Sequence, residues 1–344
     1  MIFFVISLAI LCLWNIRYDA VGKEYLSIER TNSIKGIFIV FVFFTHIVGY
    51  VTFDGAFDMP YMQIRKVMGQ CVVALFLFYS GYGVYLKASK DKEYVKAIPL
   101  KRIVNTLIKF DLAIVLFLIY RYVNGTTYEI KKVVLTFLGW DGIGNSNWYI
   151  FCVLWLYFFT YIAFSVFKGS GKAVNALLVL TLMYMLVLAK YRGSEHWWYD
   201  TALCYVLGML YARYREKIES VVDENRKTWL FFVLISIGVF CASYLHKGNN
   251  VLYQVMVLSF SLAVVFISMH IEIKNKVLEW LGKNLFELYI LQRIPMMIFK
   301  DLGLAEKNRY IYVVVCFITT IVIAVIFKKC ISDHVNFGKK KELV

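Results

Sequence analysis

Lys35-Gly36-Ile37-Phe38-Ile39-Val40-Phe41-Val42-Phe43-Phe44-Thr45-His46 is the stretch whose reading decides the fold. It runs apolar from a lysine to a histidine with no other ionisable group between them. Eleven residues make about 3.06 turns at 3.6 residues per turn, so Lys35 and His46 share one face of a helix. They stand about 16 Å apart along the axis, roughly half the thickness of a bilayer core. An ionisable side chain at that depth is costly, and it marks chemistry or transport more often than packing. Neutral imidazole is the form a general base needs. A histidine hydrogen-bonded between helices for packing alone is the plainer alternative.

The same apolar density continues on both sides. Of the 344 residues 60% are hydrophobic and 18% aromatic, and mean hydropathy is +0.65. A soluble chain is about 45–50% apolar, so the composition describes a polytopic membrane protein. Apolar runs of spanning length fall near 2–16, 36–53, 69–86, 103–120, 148–167, 173–189, 200–213, 229–246, 251–270, 284–302 and 310–327. The expected fold is an all-α polytopic transmembrane helix bundle, with ten core helices plus an extra N-terminal one. The first run lacks a basic n-region and a small-x-small cleavage site, so it reads as an anchor rather than a cleaved signal. The stretch 132–140 is too short to cross and reads as re-entrant. Three parts follow: an anchor helix and linker over 1–24, a membrane domain over 25–327 and a basic tail over 328–344.

The formal charge of +15 does not indicate nucleic acid. Basic residues sit in short loops among apolar runs, as anchors on an anionic leaflet do. Alternate loops covering 17–35, 87–102, 168–172, 213–227, 274–283 and the tail hold more than twice the Lys and Arg of the opposite set. That asymmetry puts these loops and the C-terminus in the cytoplasm, with Lys35 at the cytoplasmic mouth of its helix and His46 past the midplane. The seven cysteines (12, 71, 152, 204, 241, 316 and 330) show no CxxC spacing and mostly read as small core residues. No metal-ligand cluster, P-loop or dinucleotide fingerprint occurs.

Four further groupings could carry chemistry. Ser80, Gly81, Tyr82 and Gly83 follow a phenylalanine-rich run, and their small members let a neighbouring helix approach closely. Lys101 and Arg102 close the basic stretch 87–102 at a helix mouth, where a cation pair, the planar arginine above all, can grip phosphate. Lys109 and Asp111 lie deeper and are expected to pair with each other or with neighbours. Asp141 to Tyr149 is a glycine-rich lead into a helix, in which Asn147 and Trp148 suit sugar binding or an aromatic belt about equally. Glu287, Gln292 and Arg293 place polar groups on one late helix, where each needs a partner, a carboxylate being expected for Arg293.

Taken together these residues resemble the bacterial acyltransferase family 3, integral-membrane O-acyltransferases that modify surface sugars. Glu29 to His46 is similar to the family's first core helix, in which ten positions separate a basic residue from a histidine. Phe76 to Tyr82 resembles its Ser-Gly-aromatic motif, Trp148-Tyr149-Ile150 its Trp-aromatic helix start, and Leu285 to Gln292 its late Tyr-rich segment. The resemblance covers about 25–327. It departs in two places: Asn105 stands where the family often has a second arginine after Arg102, and Gln292 stands where it has a histidine, so no second base is expected there. No extracytoplasmic esterase-like domain follows, so transfer is expected to finish within the membrane domain.

The resemblance implies movement of an acetyl or other short acyl group from cytoplasmic acyl-CoA to a hydroxyl of a surface polysaccharide or its lipid-linked precursor, in a bacterial inner membrane. His46 would be the catalytic base or a briefly acylated relay. Lys35, Lys101 and Arg102 would hold acyl-CoA, while Ser80, Tyr82, Asn147, Trp148, Glu287 and Gln292 would serve or support the acceptor. Acetyl-CoA would be the donor substrate, with no bound cofactor and no metal; the other partners would be the glycan and the bilayer, not nucleic acid. The rival expectations are a glycan-precursor transporter or flippase without acyl chemistry, and a purely structural membrane partner.

Overall fold

A computed structural model describes residues 1–18, 24–332 and 334–335; Lys23 and the tail lysines 339–341 lie outside the described residues. The chain is all-α and polytopic. Seven helices among the described residues are long and apolar enough to cross a membrane: Cys71–Ala88, Lys92–Val123, Trp148–Val166, Ser170–Arg192, Arg226–Leu245, Asn250–His270 and Arg309–Ile331. Ile2–Leu13 is apolar but only 12 residues long. The remaining expected runs also form helices, though each is polar or interrupted. Ile28–Ile47 carries Glu29, Arg30 and Lys35 in its first half. Ala202–Val222 kinks at Tyr214, where φ is −106°. The run 284–302 splits at Gln292 into Leu285–Leu291 and Arg293–Asp301. The stretch read as re-entrant forms the short helix Ile130–Phe137.

The chain divides into two compact units. The first comprises Met1–Phe41, Asp54–Lys92 and Ile162–Lys283. At its centre Cys71–Ala88 crosses Ala202–Val222 through reciprocal glycines. A methyl at Gly81 would lie 2.0 Å from the Tyr205 carbonyl oxygen, and one at Gly208 2.0 Å from that of Phe78. Only a hydrogen fits at either point, so the backbones touch, which is the role expected of small residues between membrane helices. Gly83, on another face, would meet nothing within 4 Å.

The same unit holds a feature the sequence reading lacks, a two-stranded antiparallel ladder of Ile16–Tyr18 with Ile271–Ile273. Arg17 stands opposite Glu272, and Glu272 also pairs with Arg30 at 3.2 Å. Triplets of isoleucine and tyrosine flanking opposite charges that face each other suit such a ladder.

The second unit comprises Val42–Phe53, Glu93–Tyr161 and Asn284–Val344. Its core packs Phe43 and Phe44 against Phe317, at ring-centre distances of 5.1 and 6.1 Å. Tyr312 is fully buried and donates to the Met296 carbonyl at 2.7 Å.

Candidate functional site

His46 lies one residue before the end of Ile28–Ile47 and is half-buried. Its ring centre is 6.2 Å from that of Tyr289, at an interplanar angle of 55°. Tyr289 is buried and stacks edge-on with Tyr149 at 5.3 Å. Around the Tyr289 hydroxyl come Ser146 and the Arg293 guanidinium, and the Tyr50 hydroxyl is within hydrogen-bonding reach of Arg293. Asn145 Nδ2, Ser146 Oγ, the Tyr289 hydroxyl, Gln292 Oε1 and Arg293 Nε are buried yet close no well-formed hydrogen bond among the described residues. Buried polar atoms are nearly always satisfied, so these exceptions around Tyr289 leave places that water or a polar ligand can complete.

The loop before Trp148–Val166 sets this geometry. Gly144 adopts φ +114°, and a methyl there would meet Met297 Sδ at 2.7 Å and Arg121 Nη2 at 2.9 Å. Glycine therefore lets the loop settle on Arg293–Asp301 and bring residues 145–146 to Tyr289. Arg121 Nε donates to the Ile143 carbonyl at 3.1 Å. Asn147 uses its amide nitrogen on the carbonyls of Gly139 (3.1 Å) and Asp141 (2.9 Å), which closes the loop and commits both amide protons. Trp148 is half-buried against Tyr149, 6.1 Å between ring centres. Glu287 is buried, one helix turn before the split. Gln292 is 1% exposed and donates through Nε2 to the Tyr289 carbonyl at 3.1 Å.

Arg102 belongs to the same unit. Residues Pro99–Val104, with Lys101 and Arg102, form a π-helical turn between two α-helical stretches, a local widening found often at functional sites. Arg102 Nε donates to the Tyr94 hydroxyl at 3.3 Å. Its guanidinium lies 6.0 Å from the Tyr94 ring centre and 5.9 Å from that of Tyr157. The Tyr149 hydroxyl is within electrostatic reach of those of Tyr157 and Tyr289. A line of tyrosines, 157, 149 and 289, thus joins Arg102 to His46. Lys101 is exposed. Asp111 keeps one buried oxygen without a hydrogen bond among the described residues instead of the expected pairing with Lys109. Two positions apart on a helix, the two side chains point to different faces. Arg293 meets phenols where a carboxylate was expected.

Lys35 is half-buried on the same helix as His46, in the part belonging to the first unit. Ser80 and Tyr82 belong to that unit as well. The Tyr82 hydroxyl accepts from Arg215 Nη1 at 2.9 Å, while Arg215 Nε holds Glu219 at 2.5 Å. Tyr25 completes this group: its hydroxyl meets that of Tyr211 at 2.7 Å and its ring lies 5.1 Å from the Arg215 guanidinium. Burial pushes the Tyr25 phenol well above its ordinary value, so it stays a neutral hydrogen-bonding group. Tyr82 is thus committed to an arginine–carboxylate cluster. Among the described residues no three His, Cys, Asp or Glu side chains gather as a metal site.

A family model described as an acyltransferase domain matches residues 29–328. The chain belongs to acyltransferase family 3. No curated protein and no solved structure matches it. The family assignment and the apolar helices together make the chain a multi-pass membrane acyltransferase. The matched span contains every residue picked from the sequence, from Lys35 to Gln292.

The structure also brings to this region residues that sequence reasoning passed over as site members: Tyr289, Ser146, Arg293 and Tyr157. A signal for the first existed, because Tyr289, Gln292 and Arg293 are spaced i, i+3, i+4, the pattern of one helix face. None existed for Ser146 or Tyr157, whose place depends on contacts between distant segments.

Proposed function

We propose that this acyltransferase moves an acetyl or other short acyl group from acyl-CoA to a hydroxyl of a cell-surface glycan or its lipid-linked precursor. The observation that carries the reading is the cluster of unsatisfied buried polar atoms at 145–146 and 289–293 beside His46. The acceptor oxygen attacks the thioester carbonyl carbon, the carbon–sulfur bond breaks, and CoA leaves as thiolate. His46 takes the hydroxyl proton and returns it to the thiolate. In the relay variant its ring nitrogen takes the acyl group first and yields it to the acceptor. Arg293 and the Tyr289 hydroxyl stand where charge on the carbonyl oxygen can be met, a contribution that fixed donors make strongly in a water-poor site.

Arg102, with Lys101 beside it, holds the phosphates of CoA, and Lys35 is the basic residue of the His46 helix itself. Arg102 suits this because its planar guanidinium is already held by tyrosines and need not be ordered on binding. Glu287, Gln292, Asn147 and Trp148 support the acceptor side, while Ser80 and Tyr82 brace the helix crossing of the first unit. The loop-charge asymmetry supports a cytoplasmic C-terminus and a cytoplasmic acyl-CoA site, in a bacterial inner membrane.

Purified protein in proteoliposomes, given acetyl-CoA and acceptor glycan, should release free CoA and yield acylated glycan. His46→Ala should lower that rate by about 10²–10⁴ while inserting normally. Glycan crossing the bilayer with no CoA released would instead describe a transporter and overturn the proposal.

A further inference from the structure

Beyond the end of the His46 helix the second unit opens a cleft of about 750 Å³, within the range of about 300–1,000 Å³ typical of small-ligand sites. It is lined by residues 48–52, Lys300 and residues 305–310. Three of these are cations, Lys300, Lys307 and Arg309, against one carboxylate, Glu306. With the nearby Asp301, which accepts from the Tyr120 hydroxyl at 2.5 Å and Asn124 Nδ2 at 3.5 Å, the cations still outnumber the carboxylates by three to two. Lys300 lies 6.0 Å from the Tyr50 ring centre, and Arg309 lies 5.4 Å from that of Tyr310 while donating to the Thr52 carbonyl at 3.1 Å. Cations alternating with phenol rings suit a sugar that carries a negative group, the rings meeting its apolar face and the cations its charge.

The cleft connects to the chemistry. Gly49, in its wall, donates its N–H to the His46 carbonyl at 3.0 Å. Tyr50, also in the wall, is within hydrogen-bonding reach of Arg293, which faces Tyr289 beside His46. A saccharide lying in the cleft would therefore have one end beside Tyr50 and so next to Arg293 and Tyr289.

We propose that this cleft takes the acceptor, and that the acceptor is an anionic saccharide, a sugar chain bearing a carboxylate or phosphate gripped by Lys300, Lys307 and Arg309. The inference rests on the transferase reading and names its substrate class. The test uses the full chain in zwitterionic nanodiscs without acyl-CoA, so binding is read apart from turnover. The probes are a glucuronate-containing tetrasaccharide, the same tetrasaccharide with its carboxyls reduced to alcohols, and glucose 1-phosphate.

The expected result is saturable binding of the glucuronate probe, the sugar phosphate or both, with the reduced tetrasaccharide at least tenfold weaker. The doubly substituted Lys300→Gln/Lys307→Gln protein should lose about tenfold for the anionic probes and nothing for the reduced one. Which anionic probe binds tells carboxylate from phosphate recognition. Equal binding of charged and reduced probes, or no change in the double variant, overturns the inference. So does saturable capture of phosphatidylglycerol added to the nanodiscs with no saccharide binding, which would make the cleft a lipid site. Charge-selective binding without CoA release in the transfer assay would sink the transferase reading alone, and CoA release indifferent to acceptor charge would sink this inference alone.

Discussion

The His46 imidazole and the Tyr289 phenol lie 6.2 Å apart, centre to centre, within one unit. The Tyr289 ring is fixed by Tyr149 at 5.3 Å, while its buried hydroxyl closes no well-formed hydrogen bond among the described residues. A ring held firmly, with its polar end only loosely held by Ser146 and the Tyr149 backbone, separates packing from chemistry. Tyr289→Phe should change the melting temperature little, since the hydroxyl lost makes only loose contacts with Ser146 and the Tyr149 backbone. It should lower kcat about ten- to a hundredfold. Tyr289→Ala should in addition cost about 3–5 kcal/mol of stability through the void left. Initial CoA-release rates with thermal melts check both, and a Tyr289→Phe protein with wild-type kcat would remove the phenol from the mechanism.

Arg102 makes a second separable case. Its guanidinium spans the Tyr94 and Tyr157 rings and donates to the Tyr94 hydroxyl. Lysine keeps the charge but neither the plane nor the fork. Arg102→Lys should raise KM for acyl-CoA about tenfold with kcat little changed, and Arg102→Ala should raise it further. Steady-state kinetics with acyl-CoA varied at saturating acceptor measure this. Equal KM for Arg102→Lys and the parent would assign the arginine to packing against its tyrosines.

The candidate residues that the sequence offered are those whose signals are local. Lys35 and His46 are related by helical period alone, and Lys101 and Arg102 by their place at a helix mouth. Tyr289, Ser146 and Tyr157 were not legible, since their meeting depends on how residues 42–53, 93–161 and 284–344 fold together. The run 284–302 reads as one span by hydropathy, yet it breaks at Gln292, where Pro295 has no N–H for the Leu291 carbonyl and Gln292 turns its amide onto the Tyr289 carbonyl. Hydropathy cannot register a hydrogen bond. The ladder at 16–18 and 271–273 was hidden for a similar reason: a three-residue strand has too few positions to show a period.

Gly81 was legible as a packing residue, but its counterpart Gly208 was not. The pair yields a sharp contrast with Gly83. Gly81→Ala would drive a methyl to 2.0 Å from the Tyr205 carbonyl oxygen, and backbone on both sides leaves only helix separation as relief. A loss of about 3 kcal/mol or more is expected, read as poor insertion and a lower melting temperature. Gly83→Ala meets open space and should be neutral or gain about 0.5–1 kcal/mol from helix propensity. Similar melts for the two variants would contradict this crossing.

Gln292 sits in the break between Leu285–Leu291 and Arg293–Asp301, 1% exposed, its Nε2 bonded to the Tyr289 carbonyl and its Oε1 without a partner among the described residues. An unsatisfied buried acceptor costs about 1–3 kcal/mol, and methionine of similar length would remove it along with one hydrogen bond. If Oε1 serves only packing, Gln292→Met should be silent in catalysis. If it accepts a hydrogen bond from the acceptor hydroxyl next to His46, the same variant should melt at or above the parent's temperature while kcat/KM for the acceptor falls tenfold or more. The second outcome is expected, because the buried polar atoms of Asn145, Ser146, Tyr289 and Arg293 lie in the same unit, and Tyr289, whose carbonyl Gln292 holds, is in ring contact with His46. Melts and acceptor-dependent rates on one preparation decide it, and unchanged kcat/KM would return Gln292 to the helix break alone.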